Sequence, residues 1–322
     1  MKKKLFFLLC MALTWTVSLT AQNISVVTAN GATTLVRTLD EAIAIVNENP
    51  GCVVYLPGGG HSVSDDSKIT KKVTIIGIGH RMKGENADGF TTISGNIWFN
   101  EGSNGSAILG CYLTGDVNIG YDGKEVNDVL VRYCNMDELI VHNKQCKGTV
   151  VNQCYIRTGS MFNAADCEFT HNIAAFCKGL DRGTIEYNVF TSTYYYNGSY
   201  AICNCDDCSI NHNVVIKTSP HSGSNCQVTG NMSNSTWGEN PISMVNIDWN
   251  DVFVKPAGAN STSDYHFKEE YKQYESQVGV YVGNQFNDTG LPPVPYIVAK
   301  QISMETDASG KLNIKIRVNA GQ

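Results

Sequence analysis

A short motif that recurs seven times constrains the fold of this chain more than any other feature. Each copy has an apolar residue, a Cys or Asn three positions later, and a further apolar residue after that. The copies begin at Ile108, Val131, Val151, Phe169, Ile185, Ile210 and Val228. They follow one another at 16 to 25 residues, between turns rich in Gly, Asn and Asp. This irregular period predicts coils of short strands, in which each coil pairs with the next and the repeat is stable only in series.

The Cys or Asn of each copy forms a column when the coils are stacked. Its members are Cys111, Cys134, Cys154, Asn172, Asn188, Asn213 and Asn231. At a strand spacing of about 4.8 Å, stacked amides can hydrogen-bond along the column, and cysteines act as small apolar fillers. A disulfide prefers Cβ atoms roughly 3.5–4.5 Å apart, so stacked cysteines are expected to stay reduced.

One amphipathic helix is predicted ahead of this β-rich body. Thr38 and Glu41 have the spacing of a capping box, in which side chain and backbone satisfy each other's free groups. The apolar positions after it fall on one face, at Leu39, Ala42, Ile43 and Val46. The helix should end at Asn49-Pro50-Gly51 and cover the open end of the stack.

The tail, residues 255–322, has a different pattern. Apolar and polar residues alternate from Leu312 to Val318, and residues 307–310 supply a turn back to the run from Tyr296 to Met304. This predicts an amphipathic hairpin. We expect it to fold over the C-terminal end of the stack; a docking strand for a partner is the alternative.

The N-terminus reads as an export signal over residues 1–21, with lysines at 2–4, an apolar stretch at 5–13 and a cleavage edge at Ala21. Lipid attachment at Cys10 is disfavoured because the residues before it are large. No later run approaches the roughly 20 apolar residues of a spanning helix.

Removing the signal leaves 21 basic and 30 acidic side chains, a formal charge of −9 that argues against nucleic acid as a partner. We therefore expect a secreted, periplasmic or cell-surface protein, and the oligomeric state is not indicated.

With its asparagine column and capping helix, the chain resembles the pectate-lyase-like right-handed parallel β-helix superfamily over about residues 35 to 254. Its tail, at 279–281 and 291–295, is similar to that of secreted β-helix proteins from Bacteroidetes. The resemblance implies an all-β fold: a single-stranded right-handed parallel β-helix over residues 22–254, with the N-terminal capping α-helix, and a C-terminal tail with the hairpin over 255–322.

Four charged residues are candidates for catalysis. Asp206 and Asp207 are similar to the paired aspartates of polygalacturonases, although the other motifs of those enzymes are absent and a solvated turn is the alternative. Asp181 and Arg182 could serve a lyase, which needs calcium-binding carboxylates and a basic side chain that takes a proton. Calcium is therefore a candidate cofactor, and no other cofactor is indicated.

A second lyase arrangement would place Arg157 between Asp137 and Asp166 on neighbouring coils. Charged residues that point outward from strands are the ordinary alternative.

Aromatic side chains offer a candidate sugar-binding platform at Tyr194, Tyr195, Tyr196 and Tyr200. Consecutive strand residues face opposite ways, so at least one of these rings should lie outside, where aromatic faces stack on sugars. Packing into the stack is the alternative.

The sequence predicts no metal site. Cys203, Cys205, Cys208 and His212 are the most metal-like cluster, but Cys208 should point inward with Ile210, and no second Cys-x-x-Cys completes a zinc ribbon.

A solvent-facing groove along a β-helix suits an extended polymer. The leading hypothesis is a secreted, carbohydrate-associated protein that binds or cleaves an extracellular polysaccharide of uronate type, by analogy of fold. If it is an enzyme, it should be a polysaccharide lyase or a glycoside hydrolase. The alternative is a non-enzymatic structural or adhesive surface protein.

Overall fold

A computed structural model describes residues 23–81, 89–192, 200–216, 220–283, 286–306 and 311–319. Most of its regular structure is β-strand, in two long sheets whose strands follow chain order except for the first two strands of the first sheet. The first sheet contains Thr33–Val36, Ile24–Val27, Cys52–Tyr55, Val73–Ile76, Ala107–Leu109, Leu130–Arg132, Val150–Asn152, Glu168–Thr170, Thr184–Glu186, Ser209–Asn211 and Gln227–Thr229. Its first three strands pair antiparallel and the others parallel.

The second sheet is parallel throughout. Its main path contains Gly59–Ser62, Thr91–Ser94, Tyr112–Leu113, Asn135–Val141, Tyr155–Ala165, Ile173–Ala174, Val189–Phe190, Val214–Val215, Met232–Ser233 and Ile242–Ser243. Five further strands, here called the side strands, branch from it: Lys68–Ile69, Ile97–Phe99, Val117–Ile119, Cys177–Asp181 and Ile202–Cys203. Each coil thus contributes a strand to each sheet, which confirms a mostly β, parallel architecture and is consistent with a β-solenoid.

The predicted capping helix is confirmed at Leu39–Glu48. The amide of Glu41 donates to Thr38 Oγ1 at 3.2 Å, and the Glu41 carboxylate accepts from the Thr38 amide at 3.3 Å. The apolar face of the helix belongs to the main core inside the coils. The other helices are Trp249–Val252 and the 3-10 turns Tyr121–Gly123 and Glu269–Tyr274, and no helix in the described ranges is long and apolar enough to span a membrane.

The asparagine column forms inside the coils as predicted. Asn188 is fully buried, and its Oδ1 accepts from the backbone amide of Asn172 at 2.8 Å. The amides of Asn188 and Asn213 in turn donate to the next asparagine along the column. The eleven described cysteines are free, and all of them except Cys226 are buried.

The residue before each column position has a left-handed backbone, although it is often not glycine. His171, Tyr187 and His212 have φ of 53°, 57° and 55°. Their rings stack outside the coil, with centroids 5.0 Å apart for the first pair and 5.1 Å for the second. The outer surface of this corner is therefore a row of large side chains on which another segment can pack.

A segment of the tail lies along that corner. We call residues 278–283 and 286–295 the strap. Val282 O lies 2.9 Å from His171 Nε2, the Asn287 amide donates to Gln153 Oε1 at 3.1 Å, and Thr289 O accepts from the His80 amide at 2.9 Å. The strap thus runs back from the last coils toward the first.

A second hydrophobic core lies between the strap and the outside of the coils. Tyr155, Val189 and Val214 from the second sheet pack there with Val278 and Val280 of the strap. The strands Phe253–Lys255 and Asp264–Phe267 form a small hairpin that adds Phe253 and Phe267 to the same core.

The predicted terminal hairpin is present, with Tyr296–Thr306 antiparallel to Leu312–Asn319. Its expected position over the C-terminal end of the stack is wrong. Pro295, the residue before it, lines a cavity with Asn23 and Tyr55 of the first strands. The strap accounts for this placement, because it carries the chain back along the coils before the hairpin begins.

Candidate functional site

A row of side chains in register from coil to coil lies on the outer surface of three side strands and of the long main-path strands Asn135–Val141 and Tyr155–Ala165 that pair with them. These residues are Trp98, Asn118, Ile140, Met161 and Lys178. The residue after each of the first four, as in Phe99 and Val141, points into the main core. Because neighbours on a strand alternate between faces, the row lies on the outside.

A cavity of about 840 Å³ occupies the later part of this surface. His142 lies at one end of it, and Asp206 and Ser224 lie at the other. Five coil steps separate Trp98 from the coil that carries Asp206, which is about 24 Å at the strand spacing. We call the surface from Trp98 to Ser224 the groove.

The first end of the groove is aromatic. The rings of Trp98 and Tyr121 meet edge to face at 5.0 Å, and Tyr121 meets His142 at 5.2 Å. Lys68 places its ammonium 3.8 Å from the centre of the Trp98 ring. Tyr121 is 38 % exposed, so this end presents ring surface together with a cation to solvent.

His142 is fixed within this aromatic end. Its Nε2 lies 2.8 Å from Oδ1 of the buried Asn118, one coil earlier. Burial lowers the pKa of His142, so the ring is neutral at neutral pH. Because Nε2 of the neutral ring donates to Asn118 Oδ1, Nδ1 is left as a hydrogen-bond acceptor, which suits the hydroxyl group of a ligand.

The other end of the groove is acidic. Asp181 and Asp206 lie side by side on adjacent coils, joined by an isolated parallel bridge. Asp206 Oδ1 accepts from both the amide and the hydroxyl of Ser224 at 2.7 Å. These hydrogen bonds lower the pKa of Asp206, so its carboxylate is ionised.

Arg182 does not line this cavity. Its guanidinium contacts Asp166 at 3.2 Å and Asp181 at 2.5 Å, and it lines a separate shallow cavity of about 320 Å³ with Asp207 and Asn225. Hydrogen bonding and charge from Asp166, with the charge of Asp181, raise the pKa of Arg182.

The backbone explains this arrangement. Asp166, Arg182 and Asp207 all have φ near +50°, and each amide bonds a carbonyl of the next coil. They therefore form one outward corner. Of the four predicted catalytic residues, Asp181, Asp206 and Asp207 line the groove and Arg182 does not.

The second lyase arrangement is partly assembled. Arg157 Nε lies 3.7 Å from Asp137 Oδ1, and the Arg157 guanidinium also donates to Asn135 Oδ1 at 2.6 Å and to Leu113 O at 3.0 Å. Asp166 is instead paired with Arg182. Arg157 thus ties three coils together on the second sheet.

The predicted tyrosine platform falls mainly on Tyr194, Tyr195 and Tyr196, which lie outside the described residues. Tyr200 is partly buried and is not part of the cavity wall.

The cysteine cluster is divided by the fold. Cys205 and Cys208 belong to the main core, whereas His212 lies outside, stacked on Tyr187. Within the described ranges, no group of three His, Cys, Asp or Glu side chains could hold a metal ion.

Comparison of the chain with protein-family models, with the curated proteins and with the solved structures gives no match.

Sequence reasoning missed the aromatic end of the groove. Strand alternation in Ile97-Trp98-Phe99 places Trp98 outside, which is a usable signal. Its contacts with Lys68, Tyr121 and His142 depend on how many residues each turn consumes, and no local pattern gives that number.

Proposed function

We propose that this protein is an exported, right-handed parallel β-helix of the pectate-lyase-like type and that it binds an extended extracellular polysaccharide in the groove. One observation carries the proposal: an aromatic end at Trp98, Tyr121 and His142 is continuous with a polar, acidic end at Asp181 and Asp206. The basic n-region and apolar stretch at residues 1–21 support export.

The groove matches the chemistry of a sugar chain. Aromatic rings pack against the C–H faces of sugars, while carboxylates and amides bind their hydroxyls. A length of about 24 Å accommodates several sugar residues in a row. Lys144 in the cavity wall supplies a cation for the carboxylates of a uronate polymer.

The electrostatics favour binding over cleavage. A glycosidase needs a carboxylic acid whose pKa is raised so that it can donate a proton. Asp206 has the opposite shift, because Ser224 stabilises its charged form. A lyase needs a base that can lose its proton, and the carboxylates around Arg182 hold it protonated.

The test is a binding and product screen of the protein from Gln22 onward against pectins, other uronate polymers and neutral glycans, with and without calcium. We expect binding without new reducing ends or unsaturated products. The Trp98→Ala variant should weaken binding at least about tenfold, as expected for loss of a central aromatic contact. Tyr112→Ala, which removes a partly buried ring from the second sheet, is the matched control and should bind as the parent does.

Other outcomes would change the assignment. New product that disappears in Asp206→Asn, which keeps an acceptor for Ser224, would establish an enzyme. Absence of binding and of product throughout the screen would support a structural or adhesive role.

A further inference from the structure

The N-terminal end of the coils carries an exposed apolar row that none of the groove contacts use. Leu35 and Tyr55 both lie opposite Ser25, on the two strands that flank it. Because partners in register share a face, the three side chains form one row across the sheet. Leu35 is 63 % exposed and Tyr55 is 44 % exposed.

The same row leads to the root of the terminal hairpin. Tyr55 pairs with Ile76, and both line an apolar cavity of about 350 Å³ together with Val294 and Pro295 of the strap. The hairpin begins at the next residue, Tyr296. Its strand residues Ile316 and Val318 pair near that root, opposite Lys300 and Ile297.

Those hairpin residues are also uncovered. Ile316 is 56 % exposed and Val318 is 55 % exposed. The apolar row of the same chain therefore does not cover them, although it begins close to the root of the hairpin. The hairpin pairs with no other described strand, and an isolated two-stranded sheet is marginally stable in water. A contact from outside the chain would bury this surface.

The sheet also ends at this place. Thr33–Val36 is the terminal strand of the first sheet, and three of its four residues are exposed. Terminal strands present unpaired backbone groups that readily accept another strand or a packed surface.

Charge complementarity indicates the occupant. Residues 296–319 contain four basic and two acidic side chains, a net charge of +2. Residues 23–58, which form the N-terminal strands and capping helix, contain one basic and three acidic side chains, a net charge of −2. The hairpin of one copy therefore suits the N-terminal end of another copy, and a two-fold axis would make this contact twice.

We infer that two copies of this chain associate through their N-terminal ends, with the hairpin of each packed on the Leu35–Tyr55 row of the other. This contact lies apart from the groove and does not depend on the proposed glycan. Apolar burial supplies the affinity, and the opposite charges set the orientation.

The test is sedimentation velocity on the protein from Gln22 onward over a wide concentration range. We expect a monomer–dimer equilibrium that Leu35→Asp and Ile316→Asp each weaken at least about tenfold. Val254→Asp is the matched control, since Val254 is 53 % exposed on a strand outside this surface, and it should dimerise as the parent does. Far-ultraviolet circular dichroism checks that every variant is folded.

A charge variant keeps the test independent of hairpin stability. Lys315→Glu changes an exposed position on the hairpin face opposite Ile316, so it lowers the positive charge of the hairpin without removing apolar surface. It should weaken the dimer less than Ile316→Asp does, and less still at high salt. A monomer at all concentrations would overturn the inference, as would a dimer that is insensitive to Leu35→Asp. Equal weakening by Val254→Asp would overturn it too, because the association would then not be specific to this surface.

Discussion

The substitution Asn188→Ala tests the internal asparagine column directly. Asn188 lies in the middle of the column and is fully buried. Its Oδ1 accepts from the backbone amide of Asn172 at 2.8 Å and from the Asn172 side chain at 3.2 Å. Its Nδ2 donates to Phe169 O at 2.8 Å and to Asn213 Oδ1 at 3.0 Å. Alanine removes all four of these hydrogen bonds and puts nothing in their place.

The cost follows from these contacts. A net contribution of about 1 kcal/mol per hydrogen bond gives about 4 kcal/mol for the four. The groups left behind are buried, so water cannot replace the lost partners without opening the coil. The hydrogen bond from the backbone amide of Asn188 to Asn213 Oδ1, at 2.9 Å, remains in the variant because it does not use the Asn188 side chain.

Guanidinium unfolding followed by far-ultraviolet circular dichroism measures the difference in the free energy of unfolding. Asn163→Ala is the control. Asn163 is exposed, and its side chain makes a single hydrogen bond, to His142 O at 3.0 Å, so its loss should cost less than about 1 kcal/mol. A loss below about 1 kcal/mol for Asn188→Ala would refute the reasoning, since it would show that the column contributes no more than a surface contact.

Three further predictions follow from single contacts. Burial raises the pKa of Asp116 above 3.8, so the protein loses stability as the pH rises through the folded-state pKa and this buried carboxyl becomes charged. Asp116→Asn keeps an acceptor for the Glu138 amide and removes the charge. The variant should therefore have a higher denaturation midpoint than the parent at neutral pH, and this difference should disappear in acid. Gly290 has φ +63°, and a Cβ there would lie 2.0 Å from the His80 ring. Gly290→Ala should therefore displace the strap and expose it to limited proteolysis. Gly283→Ala is the control and should not do so, because a Cβ at Gly283 meets open space. Native alkylation followed by mass spectrometry should modify Cys226 first, and denaturation without reductant should expose all eleven thiols; a thiol that reacts only after reduction would contradict the reduced assignment.

The parts of the fold that the sequence predicts are those set by local spacing. The column from Cys111 to Asn231 is visible because each member lies at the same sequence spacing from the strand that follows it. The capping helix is visible because Thr38 and Glu41 lie within one turn, and the terminal hairpin is visible because its alternation is continuous. Each of these features needs only neighbours a few residues away.

The strap could not be predicted in this way. Its contacts join residues far apart in the chain, such as Asn287 with Gln153, and no local pattern on either partner indicates the other. The left-handed corner beneath it is equally hidden, because His171 and Tyr187 occupy positions where glycine would have been the recognisable signal. The contact of His171 Nε2 with Val282 O of the strap and the stacking of Tyr187 on His171 stabilise these residues where their own conformational preference does not.

The candidate site shows why adjacency in sequence misleads in such a fold. Asp206 and Asp207 attract attention as neighbours, yet the corner between them has φ +53° at Asp207, and Asp206 is engaged by Ser224 one coil later. The contacts that organise the site are Asp166 with Arg182, Asp181 with Asp206, and Asp206 with Ser224. Each joins residues 16 to 25 positions apart, the same interval as the repeat. In a chain built from coils, a carboxylate should therefore be judged by what lies one coil away.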